Sequence, residues 1–259
     1  MRTFIPTPNV TYVSVGPLKI HFYALCILVG ISLAIFIGRK RLSDDKDLIS
    51  DIAIYAIPAG IIGARFYHVI TTPEKYFNSH FLDAFKIWQG GLGIWGAISF
   101  GAIASYLYLK KVGISSKFLK IADALAPGLL IAQAIGRLGN WFNGELFGRP
   151  SRMPWAVEIP EGNRPLKYIN EMTFHPTFLY EAVWSLMIAL FLMRLRTRKP
   201  GQIFWLYVAG YSIGRALVEV LRIDYSHILF GLRLNLWIAI FCTILGVWQY
   251  WKIAKQRVE

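Results

Sequence analysis

Apolar residues gather in seven runs of roughly twenty, at 18–38, 48–70, 87–109, 118–140, 176–195, 202–222 and 232–251, with polar stretches between them. A helix of about 20 residues crosses about 30 Å of hydrocarbon, so each run predicts a membrane-spanning helix. Only helices and closed barrels satisfy their backbones in lipid. Barrel strands are shorter and alternate in polarity, and these runs do neither. The expected fold class is an all-α polytopic membrane protein with seven transmembrane helices. Two connections are long enough to fold by themselves, an arm at 71–86 and a head or cap at 141–175. The head carries Pro150, Pro154, Pro160 and Pro165 with Gly144, Gly148 and Gly162. These residues predict turns and a small hairpin around "MPWAVEIPEGNRPLKYI".

Basic residues then orient the runs. Tight clusters at Arg39, Lys40, Arg41 and Lys46, at Lys110, Lys111, Lys117 and Lys120, at Arg194, Arg196, Arg198 and Lys199, and at Lys252, Lys255 and Arg257 fall on one face. The other face holds Arg2, Lys19, Lys75, Lys86, Arg149, Arg152, Arg164, Lys167, Arg222 and Arg233, spread through longer loops. Basic clusters mark the cytoplasm, which predicts an outside N-terminus and a cytoplasmic C-terminus. The net charge of +13 then reflects topology and anionic lipid, without nucleic acid. The first apolar run precedes its basic cluster, the reverse of a cleavable signal peptide, and is expected to stay as an anchor. Cys26 and Cys242 lie inside two runs, where a thiol behaves as a small hydrophobe.

Three arginines, Arg65, Arg137 and Arg215, fall inside the runs. Arg215 and Glu219 each cost roughly 2.5–3.5 kcal/mol at the centre of a span, nearly cancelling the gain from its apolar residues. Tyr211, Arg215, Glu219 and Arg222 recur at helical spacing and form one polar stripe. The stripe is either a site or an Arg215–Glu219 pair that joins helices. Arg137, flanked by Gly136 and Gly139 at the outer end of the fourth run, is either a snorkelling arginine or a phosphate ligand. Two arginines at matching depth, each with polar neighbours, favour a phosphate, for which the guanidinium fork is suited. Asn140, Asn143 and Glu145 follow where the helix should break. His21, His68, His80, His175 and His227 all fall on the outer side, and no pair has metal spacing on one helix.

The segment "GRLGNWFNGELFGR" (136–149) resembles the signature of the prolipoprotein diacylglyceryl transferase family. "HFYALCILVG" (21–30), "GGLGIWGA" (90–97), "IAD" (121–123), "HPTFLYE" (175–181) and "GYSIGRALVEVLR" (210–222) are similar to that family's motifs and occur in its order. The resemblance covers all seven runs. It implies a bacterial cell-membrane enzyme with an outer head and arms and its active site towards the outer leaflet. Such an enzyme moves the diacylglyceryl group of phosphatidylglycerol onto the lipobox cysteine of a preprolipoprotein signal peptide, releasing glycerol-1-phosphate.

By motif position the family's functional residues fall on Tyr23, Asp123, Arg137, Asn140, Glu145, Gly148, Tyr211 and Arg215. The implied roles place Arg137 and Arg215 as catalytic groups on the phosphate. Tyr23 and Asn140 are neutral donors to the lipid, Gly148 gives room for backbone approach, and Glu145 holds Arg137 in place. Glu219 orients Arg215, and Tyr211 and Asp123 complete the binding set. No metal or cofactor is expected.

Trp95 departs from the family, many members of which carry His there. Either His21, His68 or His175 takes the thiol proton, or no base is needed, since arginines lower a thiol's pKa from about 8.5; the second is preferred. Two other classes remain from the residues alone. A transporter or anion channel also uses intramembrane arginines but predicts polar residues in both halves of the bilayer, where Asp123 is the main inner one. A purely structural subunit explains the helices but not the stripe.

Overall fold

The computed structural model describes residues 4–16, 18–77, 81–195, 197 and 199–255. His80, Arg2, Arg196, Arg198 and Arg257 lie outside the described residues. The chain opens with a hairpin, β1 (Tyr12–Val15) and β2 (Leu18–His21), in which Tyr12 pairs with His21. Then follow α1 (Phe22–Arg41), α2 (Lys46–Thr71), the short α3 (Glu74–Phe77), α4 (Ile94–Lys111) and α5 (Phe118–Asn143). The head contributes β3 (Val157–Glu158) and β4 (Thr173–Phe174), and is followed by α6 (Thr177–Arg194) and α7 (Gln202–Glu219). A two-stranded turn, β5 (Ile228–Leu229) and β6 (Leu232–Arg233), leads into α8 (Leu234–Lys255).

Each of the seven apolar runs carries one long helix. Five are long and apolar enough to cross a membrane: α1, α2 with its preceding turn, α5 with its preceding turn, α6 and α8. The stripe residues Arg215 and Glu219 lower the hydropathy of α7. In the third run the helix starts only at Ile94, because Gly90 and Gly91 have φ of +82° and +74°, left-handed values that interrupt a helix. Burial is inverted relative to a water-soluble protein. Ile54, Ile62, Phe241 and Ile244 are exposed while Arg65, Glu181, Glu219 and Arg222 are buried, as hydrocarbon around the helices requires.

The chain divides into two compact units, 38–121 and the remainder. In the larger unit, α1 meets α5 through small residues. A methyl group on Gly128 would lie 2.9 Å from Ala34 Cα, and one on Gly30 would lie 3.1 Å from Ala132 Cα. Helices α6 and α7 meet at Gly214, where an added methyl would lie 2.1 Å from the Trp184 ring. Close approach of this kind replaces the hydrophobic effect as the packing force in lipid. Ala126, Leu130, Ala189, Leu192 and Ile203 form the core of α5, α6 and α7. The head has its own core of Phe147, Val157, Ile159, Phe174 and Phe178. It is stitched to the chain start by Ile5 N to Ala156 O at 2.9 Å and Glu158 N to Ile5 O at 2.9 Å.

In the smaller unit α2 packs on α4 where Gly63 faces Gly96, each lacking the Cβ that would collide with the other's carbonyl oxygen. Arg65 is buried there without entering a site of its own. Its Nε donates to Ala84 O at 2.8 Å and its Nη1 to Gly90 O at 2.5 Å, while Nη2 donates to Asp83 O. Its guanidinium lies 5.1 Å from the Tyr76 ring centroid. This buried arginine therefore pins the 83–91 segment to α2.

Candidate active site

The polar residues of α5, α6 and α7 converge on one carboxylate, Glu181, in the first turn after "HPT". Its Oε1 lies 2.6 Å from Arg215 Nη1 and 3.5 Å from Arg222 Nη1, and its Oε2 contacts Arg137 Nη2. Glu219, one turn beyond Arg215 on α7, takes Arg215 Nη2 at 2.5 Å, Arg233 Nε at 2.7 Å and Asn235 Nδ2 at 3.1 Å. Arg222 and Arg233 share Asp224 at 2.6 and 3.5 Å. Four guanidinium groups thus face three carboxylates, an excess of one positive charge. Around Arg137 and Arg215 the anions are deep and the cations shallower. The side chains of Glu181 and Glu219 are 4% and 0% exposed, against 20% for Arg137 and 18% for Arg215. Buried carboxylates therefore fix two guanidinium groups that still present donors outward.

Beside Arg137, α5 runs out into a polar turn. Arg137 Nη1 reaches Asn140 Oδ1 at 3.5 Å, and Glu145 Oε1 accepts from Asn140 Nδ2 at 2.9 Å and Asn143 Nδ2 at 3.0 Å. The expected Glu145–Arg137 pair is corrected here: Arg137 takes Glu181, and Glu145 shapes the turn through the two asparagines. A methyl on Gly136 would meet nothing within 4 Å, so open space adjoins Arg137. Tyr23, at the start of α1, lies on Gly139, where a methyl would come 2.5 Å from Tyr23 Cδ2. It stands within electrostatic reach of both Glu145 and Arg137. Tyr211 lies near Tyr207, one turn before Arg215, with the rings tilted and their centroids 6.3 Å apart.

A cleft of about 440 Å³ opens at the end of α5, lined by Asn143, Glu145, Leu146, Asn163, Ile223 and Asp224 among others. Burial alone would raise the Asp224 carboxyl, but the Arg222 hydrogen bond and the charges of Arg222 and Arg233 hold it below the usual carboxylate range.

Two expected binding residues make contacts within the scaffold. Asp123 lies fourteen residues before Arg137, about 21 Å along α5 at 1.5 Å per residue. It caps α7, with Oδ2 accepting from Gly201 N and Oδ1 from Phe204 N, both at 2.7 Å. Gly148 donates its N–H to His175 O at 2.8 Å, and a methyl on it would lie 2.8 Å from Thr177 Cγ2 and 2.9 Å from Leu221 O. The close approach expected at Gly148 is thus to the protein's own backbone. Trp95 is half-exposed in the first turn of α4, in the smaller unit. His175 Nδ1 lies 3.1 Å from Tyr180 Oη, and burial, with Arg149 nearby, pushes its imidazole below the ordinary range.

Sequence reasoning missed Glu181, Arg233 and Asp224 as members of this network. Glu181 carried a readable signal, since it is the single acidic residue of the run 176–195, and an acid inside an apolar run marks a partner.

The profile of the family described as prolipoprotein diacylglyceryl transferase matches residues 10–252. Relatives named phosphatidylglycerol–prolipoprotein diacylglyceryl transferase include that of Cutibacterium acnes, 52% identical over 89% of this chain and 80% of the relative. That of Streptomyces griseus is 46% identical over 94% of this chain and 76% of the relative. That of Corynebacterium diphtheriae is 45% identical over 98% and 95%. With the match running from the β1 hairpin through α8, and with the arginine network spanning the motifs in between, this chain belongs to the prolipoprotein diacylglyceryl transferase family.

Proposed function

We propose that the chain transfers the diacylglyceryl group of phosphatidylglycerol to the lipobox cysteine thiol of a preprolipoprotein. In this reading seven helices span a bacterial plasma membrane, with the N-terminus outside, the C-terminus in the cytoplasm and the arginine network at the depth of the outer leaflet's phosphates. The observation that carries it is the pair Arg137 and Arg215, partly exposed and held by the buried Glu181.

The thiol sulfur attacks the glyceryl carbon esterified to phosphate. An S–C bond forms, the C–O bond breaks, and glycerol-1-phosphate leaves with the C–O electrons. Negative charge grows on that phosphate, and preorganised guanidinium groups stabilise charge as it develops. The thiol's proton is lost in the same transfer. A phosphate monoester has a second pKa of about 6, so the leaving group itself is a competent acceptor, which answers the missing imidazole at Trp95. Tyr23 and Asn140 supply neutral hydrogen bonds to the lipid, and the cleft at Asn143 and Glu145 receives the peptide beyond its cysteine. Asp123 is engaged in capping α7, which removes from a channel reading its main inner-half polar residue.

The test is transfer of labelled diacylglyceryl from phosphatidylglycerol to a lipobox peptide by purified protein, beside Arg137→Ala. Transfer by the first and a loss of about 10²-fold or more in a folded second is the expected result. Wild-type protein that binds the lipid but transfers nothing refutes the reading.

A further inference from the structure

Among the described residues, Glu181 is the one carboxylate that touches both Arg137 and Arg215. Glu219 touches only Arg215 of the two, and Glu145 is held by asparagines. Both oxygens of Glu181 are thus engaged with the two cations that the reaction proposed above needs for the lipid phosphate. A carboxylate and a phosphate offer a guanidinium fork the same kind of oxygen edge, so the two anions compete for the same donors.

We propose that Glu181 is a built-in competitor of the phosphate, a positioning residue whose main effect is on product release. The inference rests on the function proposed above. Substrate phosphatidylglycerol carries a phosphodiester with one negative charge, which balances the single excess positive charge of the network. Once the C–O bond breaks, the phosphate is a monoester that passes the thiol's proton on to water, its second pKa being about 6, and as a dianion it is held by the same arginines more tightly than the substrate was. A site without an internal anion would retain its product. Glu181 returns to Arg137 and Arg215 as glycerol-1-phosphate leaves, and Arg222, 3.5 Å behind its Oε1, keeps the carboxylate beside the site while the phosphate is bound. Weakening ground-state and product binding alike favours turnover when release limits the rate.

Glu181→Gln, which keeps the shape and removes the charge, is compared with wild type in the transfer assay, with glycerol-1-phosphate as inhibitor. The variant is expected to show a KM for phosphatidylglycerol and an inhibition constant for glycerol-1-phosphate each lowered about tenfold or more, the scale of removing one charge near a bound anion. Its kcat falls, and a burst of transferred product precedes a slow steady state. A merely structural glutamate moves KM and the inhibition constant upwards together. That result, or an unchanged inhibition constant, overturns the proposal. If the variant does not stay folded on extraction, glycerol-1-phosphate added during extraction restores it by taking the carboxylate's place, and failure to restore it overturns the proposal too. A wild type that transfers nothing is seen before any variant is compared, and it sinks the functional reading together with this inference.

Discussion

A thiol that is to attack carbon must lose a proton, and the chain offers few side chains to take it. His21 sits in β2 against the Tyr12 ring, 5.5 Å between centroids. His175 is tied to Tyr180, and His68 belongs to the smaller unit. If the leaving phosphate accepts the proton, Gln at each of these three positions leaves transfer near the wild-type rate. Abolished transfer in any folded one of the three would identify a side-chain base. His175 has a separate signature. Its folded pKa lies below the unfolded value of about 6.5, so its contribution to stability is complete above that value and is lost as pH falls through the folded pKa. Thermal unfolding in detergent is therefore expected to show a steeper loss of stability below pH 6.5 in wild type than in His175→Gln. Equal slopes would remove the assignment. The arginines were legible in the sequence because a charge in an apolar run is costly enough to demand a reason. Glu181 carries the same signal, a charge inside an apolar run, but its partners lie on other helices and periodicity within one helix does not name them.

Helix ends and helix crossings explain where local reading failed. The capping contact of Asp123 leaves no mark in the sequence because its partner, the start of α7, is 78 residues away. A carboxylate at a helix N-terminus satisfies backbone donors and opposes the macrodipole. Asp123→Asn is expected to lower stability by about 0.5–2 kcal/mol while kcat of the folded protein stays unchanged. A fall in kcat without a fall in stability would return Asp123 to the substrate site. Gly148 tests the head in the same way. Its neighbours are a threonine methyl and the Leu221 backbone, which yields little, so Gly148→Ala is expected to cost about 1–3 kcal/mol. Earlier cleavage of the 141–175 segment in limited proteolysis would report it, and a cleavage rate like that of wild type would show that the head has slack. The late start of α4 was hidden because "GGLG" reads as apolar although Gly90 and Gly91 adopt left-handed backbone.

At the scale of the whole molecule, the proposed orientation places the head and the turn after α4 on opposite sides of the membrane. Both can be probed at exposed positions, Gly162 in the head, with open space around it, and Ser116 after α4. In intact cells an impermeant maleimide is expected to label Gly162→Cys, and to label Ser116→Cys only after permeabilisation. The reverse pattern would invert the topology and move the arginine network to the inner leaflet. The two cysteines already present lie half-buried within helices, which keeps the background of such an experiment low.

The stitching of the chain's beginning to the head bears on how the protein is made. Thr7 bonds Glu158 across 151 residues, and Trp141 Nε1 reaches back to Pro6 O at 3.0 Å. Ribosomes add about 5–20 residues per second, so the first residues wait roughly 8–30 s for the strands they join. Four long helices must be placed in that interval while the leading segment stays outside without its partners. A bulky fusion at the N-terminus therefore interferes with completing the head more than the same fusion at the C-terminus, which follows α8 and has no such appointment to keep.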